Sequence, residues 1–296
     1  MADGHIRVAA PAKVNLYLHV TGRRDDGYHL LHSLIVFAGV GDQITVAPAE
    51  DLQLTVEGPF AADVPADPTN LVWRAAELLA GRANMAPRAR IRLTKNLPVA
   101  SGLGGGSADA AAALVGLCRL WGLQPGRQGL DDLAIKLGAD VPVCLAGGAS
   151  TIGGIGEAVD PAPGLPEAWL VLANAGVAVS TPAVFRARRG AFSAPRRVTE
   201  RIVTAEDLAA ALAARDNDLT EPALELAPVI GEVLLALSTE DGCLLSRMSG
   251  SGGTCFGLFD REGQARTAAA AIGAARPGWW VAAAPLLSTQ ADEFTI

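Results

Sequence analysis

The first third of the chain contains three stretches whose hydrophobic pattern is typical of β-strands. They run from Ile6 to Val20, from Ser33 to Val46 and from Ala89 to Leu93. In the third stretch, the apolar side chains alternate strictly with arginines. The chain is therefore expected to begin with β-structure.

Helical spacing occurs between and after these strands. Apolar residues at 71, 72, 75, 76, 78 and 79 predict a helix capped by Thr69 or Asn70. A second predicted helix runs from Ser107 to Trp121. A third lies within residues 130–140, where Gly138 would end it in a left-handed conformation.

The second half of the chain alternates strands and helices without a regular repeat, which is typical of an α+β fold. The predicted elements are a strand at Trp169 to Ala173, helices near 204–214 and 219–237, a strand at Thr254 to Phe259, a helix near 262–275 and a strand at Trp279 to Ala284. Thr204 and Asp207 have the spacing of a helix start signal. The glycine and proline run 153–166 indicates a boundary, so two domains are expected, residues 1–160 and 161–296.

Composition narrows the class of protein. Of the 296 residues, 50% are hydrophobic and 19% are charged, which indicates a compact globular chain. The longest charge-free stretch, 168–185, carries polar residues, glycine and proline, so no membrane helix is predicted. The N-terminus lacks the pattern of an export signal, and a cytoplasmic location is expected.

Charge and cysteine usage argue against two further classes. The net charge is -7 and the basic residues are scattered, apart from an arginine-rich patch at 186–197, so nucleic acid binding is not predicted. The four cysteines lie far apart and are expected to be buried free thiols. His29 and His32 have metal-ligand spacing but no cysteine or carboxylate nearby, so no metal site is predicted.

The glycine-rich segment GLGGG, residues 102–106, is the main candidate for chemistry. Its backbone N–H groups can turn toward one ligand, and Ser107 would cap the helix that follows. Unpaired N–H groups and the positive end of the helix dipole then make an anion site, most naturally for phosphates. No Walker A sequence follows, and the dinucleotide fingerprint fits badly. A flexible linker is the alternative, and Asp109 needs only the helix dipole to explain it.

Lys13 and Asp140 are the candidate catalytic residues. Lys13 shares one strand face with Asn15, Tyr17 and His19, and that face is either solvated or part of a site. Asp140 follows a predicted helix end, where a carboxylate is disfavoured, and the Val-Pro pair after it predicts an extended corner. An aspartate could accept the proton of an attacking hydroxyl, and a lysine would stabilise the oxygen. The second glycine loop, 248–253, suits either a tight turn or closure over a ligand.

Three segments in this order resemble the GHMP kinase superfamily: PAKVNL at 11–16, PVASGLGGGSADAA at 98–111 and SGSGGTCFGLF at 249–259. The similarity covers nearly the whole chain. Two further segments, DGYHLLHSL at 26–34 and GADVPVCLAGG at 138–148, are similar to the branch that phosphorylates a cytidine diphosphate sugar alcohol. The resemblance implies a two-domain α+β fold, with an N-terminal ribosomal S5-like α/β domain and a C-terminal ferredoxin-like domain.

The resemblance also implies the site. Lys13 and Asp140 match the catalytic pair. Asn15, Tyr28, His29 and Phe185 are expected to bind the acceptor, with Tyr28 and His29 on the cytosine and Phe185 stacked on its other face. The residues expected at ATP are Lys95, Pro98, Val99, Ala100, Ser101, Gly102, Leu103, Gly104, Gly105, Gly106, Ser107 and Ala108. Ala100 and Ser101 stand where glycines are often found, and both are small enough to keep the loop.

The implied reaction moves the γ-phosphoryl group of ATP to the 2-hydroxyl of 4-diphosphocytidyl-2-C-methyl-D-erythritol, in non-mevalonate isoprenoid biosynthesis. Mg²⁺ is expected to arrive with the nucleotide, and no protein ligand for it is assigned. A monomer or weak homodimer is expected. The alternatives are another GHMP kinase acting on homoserine, a mevalonate derivative or a sugar, a nucleotide-binding protein without catalysis and, more distantly, a dinucleotide oxidoreductase.

Overall fold

The computed structural model describes residues 5–288. The strands in this range are β1 (Ile6–Arg23), β2 (His29–Ala47), β3 (Gln53–Glu57), β4 (Arg90–Thr94), β5 (Ser150–Gly153), β6 (Ala158–Pro161), β7 (Trp169–Asn174), β8 (Leu245–Met248), β9 (Thr254–Phe259) and β10 (Trp280–Leu287). The α-helices are α1 (Leu71–Arg82), α2 (Gly105–Trp121), α3 (Gly126–Leu137), α4 (Val141–Ala146), α5 (Thr181–Ala187), α6 (Ala205–Ala213), α7 (Thr220–Leu226), α8 (Val229–Ser238) and α9 (Glu262–Ala275).

The strands form one hydrogen-bonded sheet in the order β3-β4-β2-β10-β7-β9-β8, with β1 and β5 also paired to β2. β1 and β2 are an antiparallel pair along most of their length. β10 pairs with β7 and then reaches Ala38 and Phe37 of β2 through its last two residues. The C-terminal strand therefore ties the second half of the chain to the first.

The predicted elements are largely confirmed, and local signals explain why. The Asn70 side chain accepts the N–H of Val72 and caps α1. Thr204 and Asp207 form the reciprocal hydrogen bonds of a capping box at α6. α9 covers the predicted residues 262–275.

Several local predictions were wrong. Ser107 does not cap α2, because the helix begins at Gly105 after Gly104, whose φ is 62°. Gly138 ends α3 in extended backbone, with φ 162°, and not in a left-handed conformation. Asp140 is followed by helix α4 and not by a strand, because Pro142 lies in the first turn, where a missing N–H leaves no helical bond unmade.

Two longer segments also differ from expectation. The predicted helix 219–237 is two helices, α7 and α8, which are interrupted at Ala227 and Pro228. The run 153–166, where a domain boundary is expected, contains β6 in its middle, and β6 pairs with β5 in a hairpin. Glycines at the hairpin turn have positive φ, so the turn geometry accounts for the glycines in this segment and no flexible linker is needed.

The core on one side of the sheet is built around α2. Ala110, Ala111, Ala112 and Ala113 have no exposed surface, and their small side chains let the helix lie close to β1 and β2. At Gly116 the helix also packs tightly against the sheet, since a Cβ there would lie 3.4 Å from methyl groups of Val8 and Val46. The alanine-rich helix thus places its own N-terminus against the sheet that carries Lys13.

The face of β1 that could have been solvated is buried. Lys13, Asn15, Tyr17 and His19 are each 5% exposed or less. Residues from the second half of the chain lie against this strand: the N–H of Leu18 donates to the carbonyl of Asp216, 3.1 Å away. Cys118, Cys144 and Cys255 are buried free thiols as predicted, while Cys243 is partly exposed. Within residues 5–288, no helix has the length and apolarity that crossing a bilayer requires.

Candidate active site

The glycine loop is a tight, irregular backbone segment that leads directly into α2. Gly102 and Gly104 have φ of 78° and 62°, and Ala100, where a glycine is often found, has φ of 51°. Such left-handed positions turn successive N–H groups to one side of the chain. The N–H groups of the first turn of α2 have no partners within the helix, so the loop and the helix together form an anion site.

The second glycine loop is a tight turn between β8 and β9, and it also lies against the first loop. The N–H of Gly252 donates to the carbonyl of Ser249 over 3.2 Å, and the N–H of Thr254 donates to the carbonyl of Ser101 over 2.9 Å. A Cβ on Gly102 would come within 2.6 Å of two carbonyl oxygens of the second loop. Only glycine therefore fits at 102, and the second loop supports the first from behind.

Lys13 and Asp140 lie together although 127 positions separate them in the chain. The Lys13 Nζ atom donates to Asp140 Oδ2 over 2.9 Å. The Lys13 side chain is 6% exposed, whereas that of Asp140 is 39% exposed. The backbone N–H of Lys13 donates to the carbonyl of Leu103 in the glycine loop over 2.9 Å. The pair is thus attached to the loop, and its carboxylate opens to solvent.

Asp140 reaches this position because it immediately precedes α4. Its φ and ψ are -87° and -10°, and its side chain makes no capping bond to the helix. The carboxylate is therefore not used by its own helix and is free to face Lys13. One turn further on, burial raises the pKa of the Cys144 thiol well above its usual range, and Asp140 adds to that shift. This thiol is uncharged at neutral pH.

Asn15 is fixed beside the pair by side chains from β2 and the second loop. Its Nδ2 donates to Ser33 Oγ over 2.8 Å, and its backbone N–H donates to Ser249 Oγ over 3.1 Å. Its Oδ1 is buried and has no hydrogen-bond partner. A buried unpaired oxygen is costly, so it is a natural acceptor for a ligand hydroxyl.

Two of the expected acceptor residues, His29 and Phe185, meet at the start of β2. The His29 ring is stacked on the Phe185 ring, with centroids 4.9 Å apart and an angle of 22° between the planes. Burial lowers the pKa of His29, and Arg23 and Arg188 lower it further, so the ring is neutral at neutral pH. Tyr28 is 62% exposed beside them. The stacked His29 and Phe185 rings form an aromatic surface, and the exposed Tyr28 precedes His29 in the chain.

Lys95 is placed differently from the other residues expected at ATP. Its ammonium group is buried and contacts the carboxyl groups of Asp42 and Asp109, the latter over 2.7 Å. Asp42 was missed by the sequence reasoning. It is the single carboxylate on β2, a mostly apolar strand, a signal that could have identified it as buried and paired. Asp109 lies beyond the first turn of α2, so the helix dipole does not explain it.

Two family models match the chain. The model described as GHMP kinases N terminal domain matches residues 70–148, and the model described as GHMP kinases C terminal matches residues 198–277. The first contains the glycine loop and Asp140. The second contains the second glycine loop.

Curated relatives match over nearly their full length. A 4-diphosphocytidyl-2-C-methyl-D-erythritol kinase from Paramagnetospirillum magneticum is 59% identical over 281 residues, covering 95% of this chain and 98% of that protein. One of the same name from Rhodospirillum rubrum is 53% identical over 283 residues, covering 96% and 93%.

Solved structures share the architecture. A crystal structure of 4-(cytidine 5'-diphospho)-2C-methyl-D-erythritol kinase matches with a TM-score of 0.79 and 36% identity, covering 95% of this chain and 99% of that one. Homoserine kinase from Cytophaga hutchinsonii matches with a TM-score of 0.71 and 18% identity, covering 98% and 97%. At that lower identity, the likeness concerns the fold alone.

Proposed function

We infer that the chain, which belongs to the 4-diphosphocytidyl-2-C-methyl-D-erythritol kinase family of the GHMP kinases, phosphorylates the 2-hydroxyl of that cytidine diphosphate alcohol. ATP is the phosphoryl donor, and the products are the 2-phosphate and ADP. The reaction belongs to isoprenoid precursor biosynthesis. The two-domain GHMP kinase fold expected from the sequence is confirmed by both family models and the structural match.

The observation that carries the proposal is the Lys13–Asp140 pair attached to the glycine loop. Phosphoryl transfer needs the donor phosphates and the acceptor hydroxyl to be held in line, with charge stabilised around them. The loop residues 98–108 and the start of α2 would bind the phosphates. The partly exposed Asp140 carboxylate can then reach a hydroxyl that approaches from the solvent side.

Asp140 would accept or orient the proton of the attacking hydroxyl. An aspartate is a weak base toward an alcohol, since its ordinary pKa is about 3.9. The Lys13 ammonium, 2.9 Å from the carboxylate, would stabilise the oxygen as its negative charge develops. Asn15, with its unpaired buried Oδ1, would receive a hydrogen bond from the sugar alcohol.

His29, Tyr28 and Phe185 would bind the cytosine. A base between His29 and Phe185 needs about twice the spacing of one stacked pair, so the two rings would separate on binding. A neutral His29 suits stacking on an uncharged base. The exposed Tyr28 would then close over the base from the β1–β2 turn.

Mg²⁺ would enter as part of the nucleotide complex. Within residues 5–288, no group of three His, Cys, Asp or Glu side chains is arranged to hold a metal ion. Phosphate oxygens and water would therefore supply most of its ligands, as is usual for this ion. No step of the proposal depends on a protein cage for the metal.

The two-domain division near residue 160 is likewise our proposal. One hydrophobic cluster consists of fully buried residues between positions 8 and 152, which supports an N-terminal unit with its own core. A cytoplasmic location and a monomer or weak homodimer remain the expectations for an enzyme that acts on small polar metabolites.

A comparison of acceptors tests the proposal. The purified protein is incubated with ATP, Mg²⁺ and one alcohol at a time, and ADP release is measured. We expect ADP only with the cytidine diphosphate alcohol, and inhibition by CMP and CDP that is competitive with that alcohol. ADP release with homoserine or mevalonate and not with the cytidine compound would assign the chain to another GHMP activity. Nucleotide binding without ADP release from any alcohol would indicate a non-catalytic protein.

A further inference from the structure

A buried cluster of three ionisable side chains lies directly behind the glycine loop. It consists of Asp42 on β2, Lys95 just after β4, and Asp109 on α2. All three side chains are 4% exposed or less. A Cβ on Gly105, the first residue of α2, would lie 3.0 Å from the Lys95 Nζ atom. The ammonium is therefore next to the backbone that would bind the phosphates, but it is sealed from solvent.

The two carboxylates are not equivalent. Asp42 Oδ1 accepts hydrogen bonds from the N–H groups of Asn96 and Leu97 over 2.6 and 2.8 Å. The other carboxylate oxygen, Oδ2, contacts the Lys95 ammonium. Within residues 5–288, Asp109 Oδ2 accepts a hydrogen bond from Lys95, and Asp109 Oδ1 is buried without a hydrogen-bond partner. Hydrogen bonds to the charged form favour ionisation, and burial opposes it. Asp42 is thus the member that the fold supports as an anion.

The pKa values agree with this difference. Burial raises the pKa of Asp109 to about 8; Lys95 opposes the shift and the nearby Asp42 carboxylate adds to it. Burial alone would lower the pKa of Lys95, but the two carboxylates outweigh it and raise the pKa above its usual value. At neutral pH the cluster therefore carries one positive and one negative charge, with Asp109 protonated.

We propose that this cluster is a positioning element of the nucleotide site, which fixes the start of α2 and keeps net negative charge away from the phosphates. The inference rests on the proposed kinase function. A helix N-terminus supplies only about half a positive charge. One uncompensated carboxylate behind the loop would exceed that contribution, so Lys95 and a protonated Asp109 preserve the attraction for anions.

The surroundings of Asp109 contain no other ionised group that acts on it. Within residues 5–288, the charged side chains that shift its pKa are Lys95 and Asp42. From α4, the nearby Cys144 thiol is uncharged because burial raises its pKa. From β1, Lys13 is already paired with Asp140. Ionisation of Asp109 would therefore change the cluster from neutral to a single negative charge.

The equilibrium dissociation constant of ATP, measured by calorimetry with excess Mg²⁺ and without acceptor, tests this proposal. For the unchanged protein we expect ATP affinity to fall about fivefold between about pH 7 and pH 9.5, beyond the change due to ATP itself. Asp109→Asn keeps the cluster neutral and should remove this fall. Lys95→Met combined with Asp109→Asn leaves Asp42 unpaired, so affinity should be weak at both pH values.

Asp132→Asn on α3 is the matched control, since it removes an exposed carboxylate outside the cluster. It should keep the pH dependence of the unchanged protein. A pH dependence in Asp109→Asn equal to that of the unchanged protein would overturn the proposal, as would equal profiles for the single and double variants. Because acceptor is absent, a failure of the kinase assignment would appear separately, as a lack of ADP release.

Discussion

Two of the chain's three lysines are paired with aspartate beside the same glycine loop, but their surroundings differ. Lys13 contacts Asp140, whose side chain is 39% exposed. Lys95 contacts Asp42 and Asp109, whose side chains are 0% and 3% exposed. The first pair can meet a substrate, and the second cannot. Exposure of the carboxylate, more than the presence of an ion pair, distinguishes a reacting group from one that supports the site.

The difference also concerns what each aspartate already binds. Asp140 precedes a helix without capping it, so its remaining oxygen is free for a ligand. Asp42 has both oxygens occupied by the backbone and Lys95. A carboxylate that takes part in proton transfer needs an oxygen without a hydrogen-bond partner in the protein. A structural carboxylate is most stable when both oxygens are hydrogen-bonded. The third lysine, Lys136, is exposed on α3 and belongs neither to the catalytic pair nor to the buried cluster.

The largest expected effect comes from Asp140→Asn. The amide keeps the shape of the side chain but cannot accept the hydroxyl proton, so kcat should fall about 10³-fold. ATP affinity should stay within about threefold, because the loop proposed to bind the phosphates is unchanged. Steady-state kinetics and calorimetry measure both quantities. Asp132→Asn is the control, and a kcat for Asp140→Asn near that of the control would break the distinction between the two pairs.

Lys13→Met should lower kcat about 10²-fold, since the developing charge on the oxygen loses its neighbouring cation. The methionine fills a similar volume in this buried position, so the fold should persist. Lys136→Met, measured in parallel, should keep full activity. If Lys13→Met lost only ATP affinity and retained kcat, Lys13 would be a binding residue and the comparison would need revision.

Lys95→Met should act on stability first. It removes the only cation from a buried cluster with two carboxylates, a change that costs about 3 kcal/mol of unfolding free energy. Urea denaturation followed by circular dichroism measures this loss. Lys136→Met should change stability by less than about 0.5 kcal/mol. Equal stabilities for these two variants would mean that the buried cluster is not a structural element.

Phe185→Ala should have the smallest effect, confined to the acceptor. Loss of one stacking ring should raise the KM for the cytidine substrate about tenfold, with kcat little changed. Phe192→Ala removes an aromatic ring that is 49% exposed a few residues further along, and it serves as the control. An unchanged KM in Phe185→Ala would remove this residue from the cytosine site.

Local patterns predicted most of the fold. α9 follows the prediction because the apolar spacing that indicates the helix lies within its own fourteen consecutive residues. The capping box at Thr204 was equally local. The helix after Asp140 was missed because a residue before proline is usually extended, whereas Pro142 lies in the first turn of α4, where its missing N–H is tolerated.

The parts of the site that could not be predicted depend on distant contacts. Asp42 and Lys95 are 53 positions apart, and no period in the sequence relates them. The burial of both faces of β1 depends on residues about 200 positions later, such as Asp218, whose Oδ2 accepts the N–H of Val20. The glycine loop could be recognised because its conformational demand is local. The contacts that the second loop makes with it could not be predicted, because they join residues far apart in the sequence.

The location of the new phosphate tests the central claim most directly. The claim is that Asp140 accepts or orients the proton of the 2-hydroxyl of the cytidine diphosphate alcohol, which is thereby phosphorylated. The carbon that carries this hydroxyl bears a methyl group and no hydrogen. Proton-coupled ³¹P NMR of the product should therefore show ADP, the retained cytidine diphosphate signals and one phosphomonoester singlet. A phosphomonoester split by coupling to a carbon-bound proton would place the phosphate on another oxygen and contradict the account.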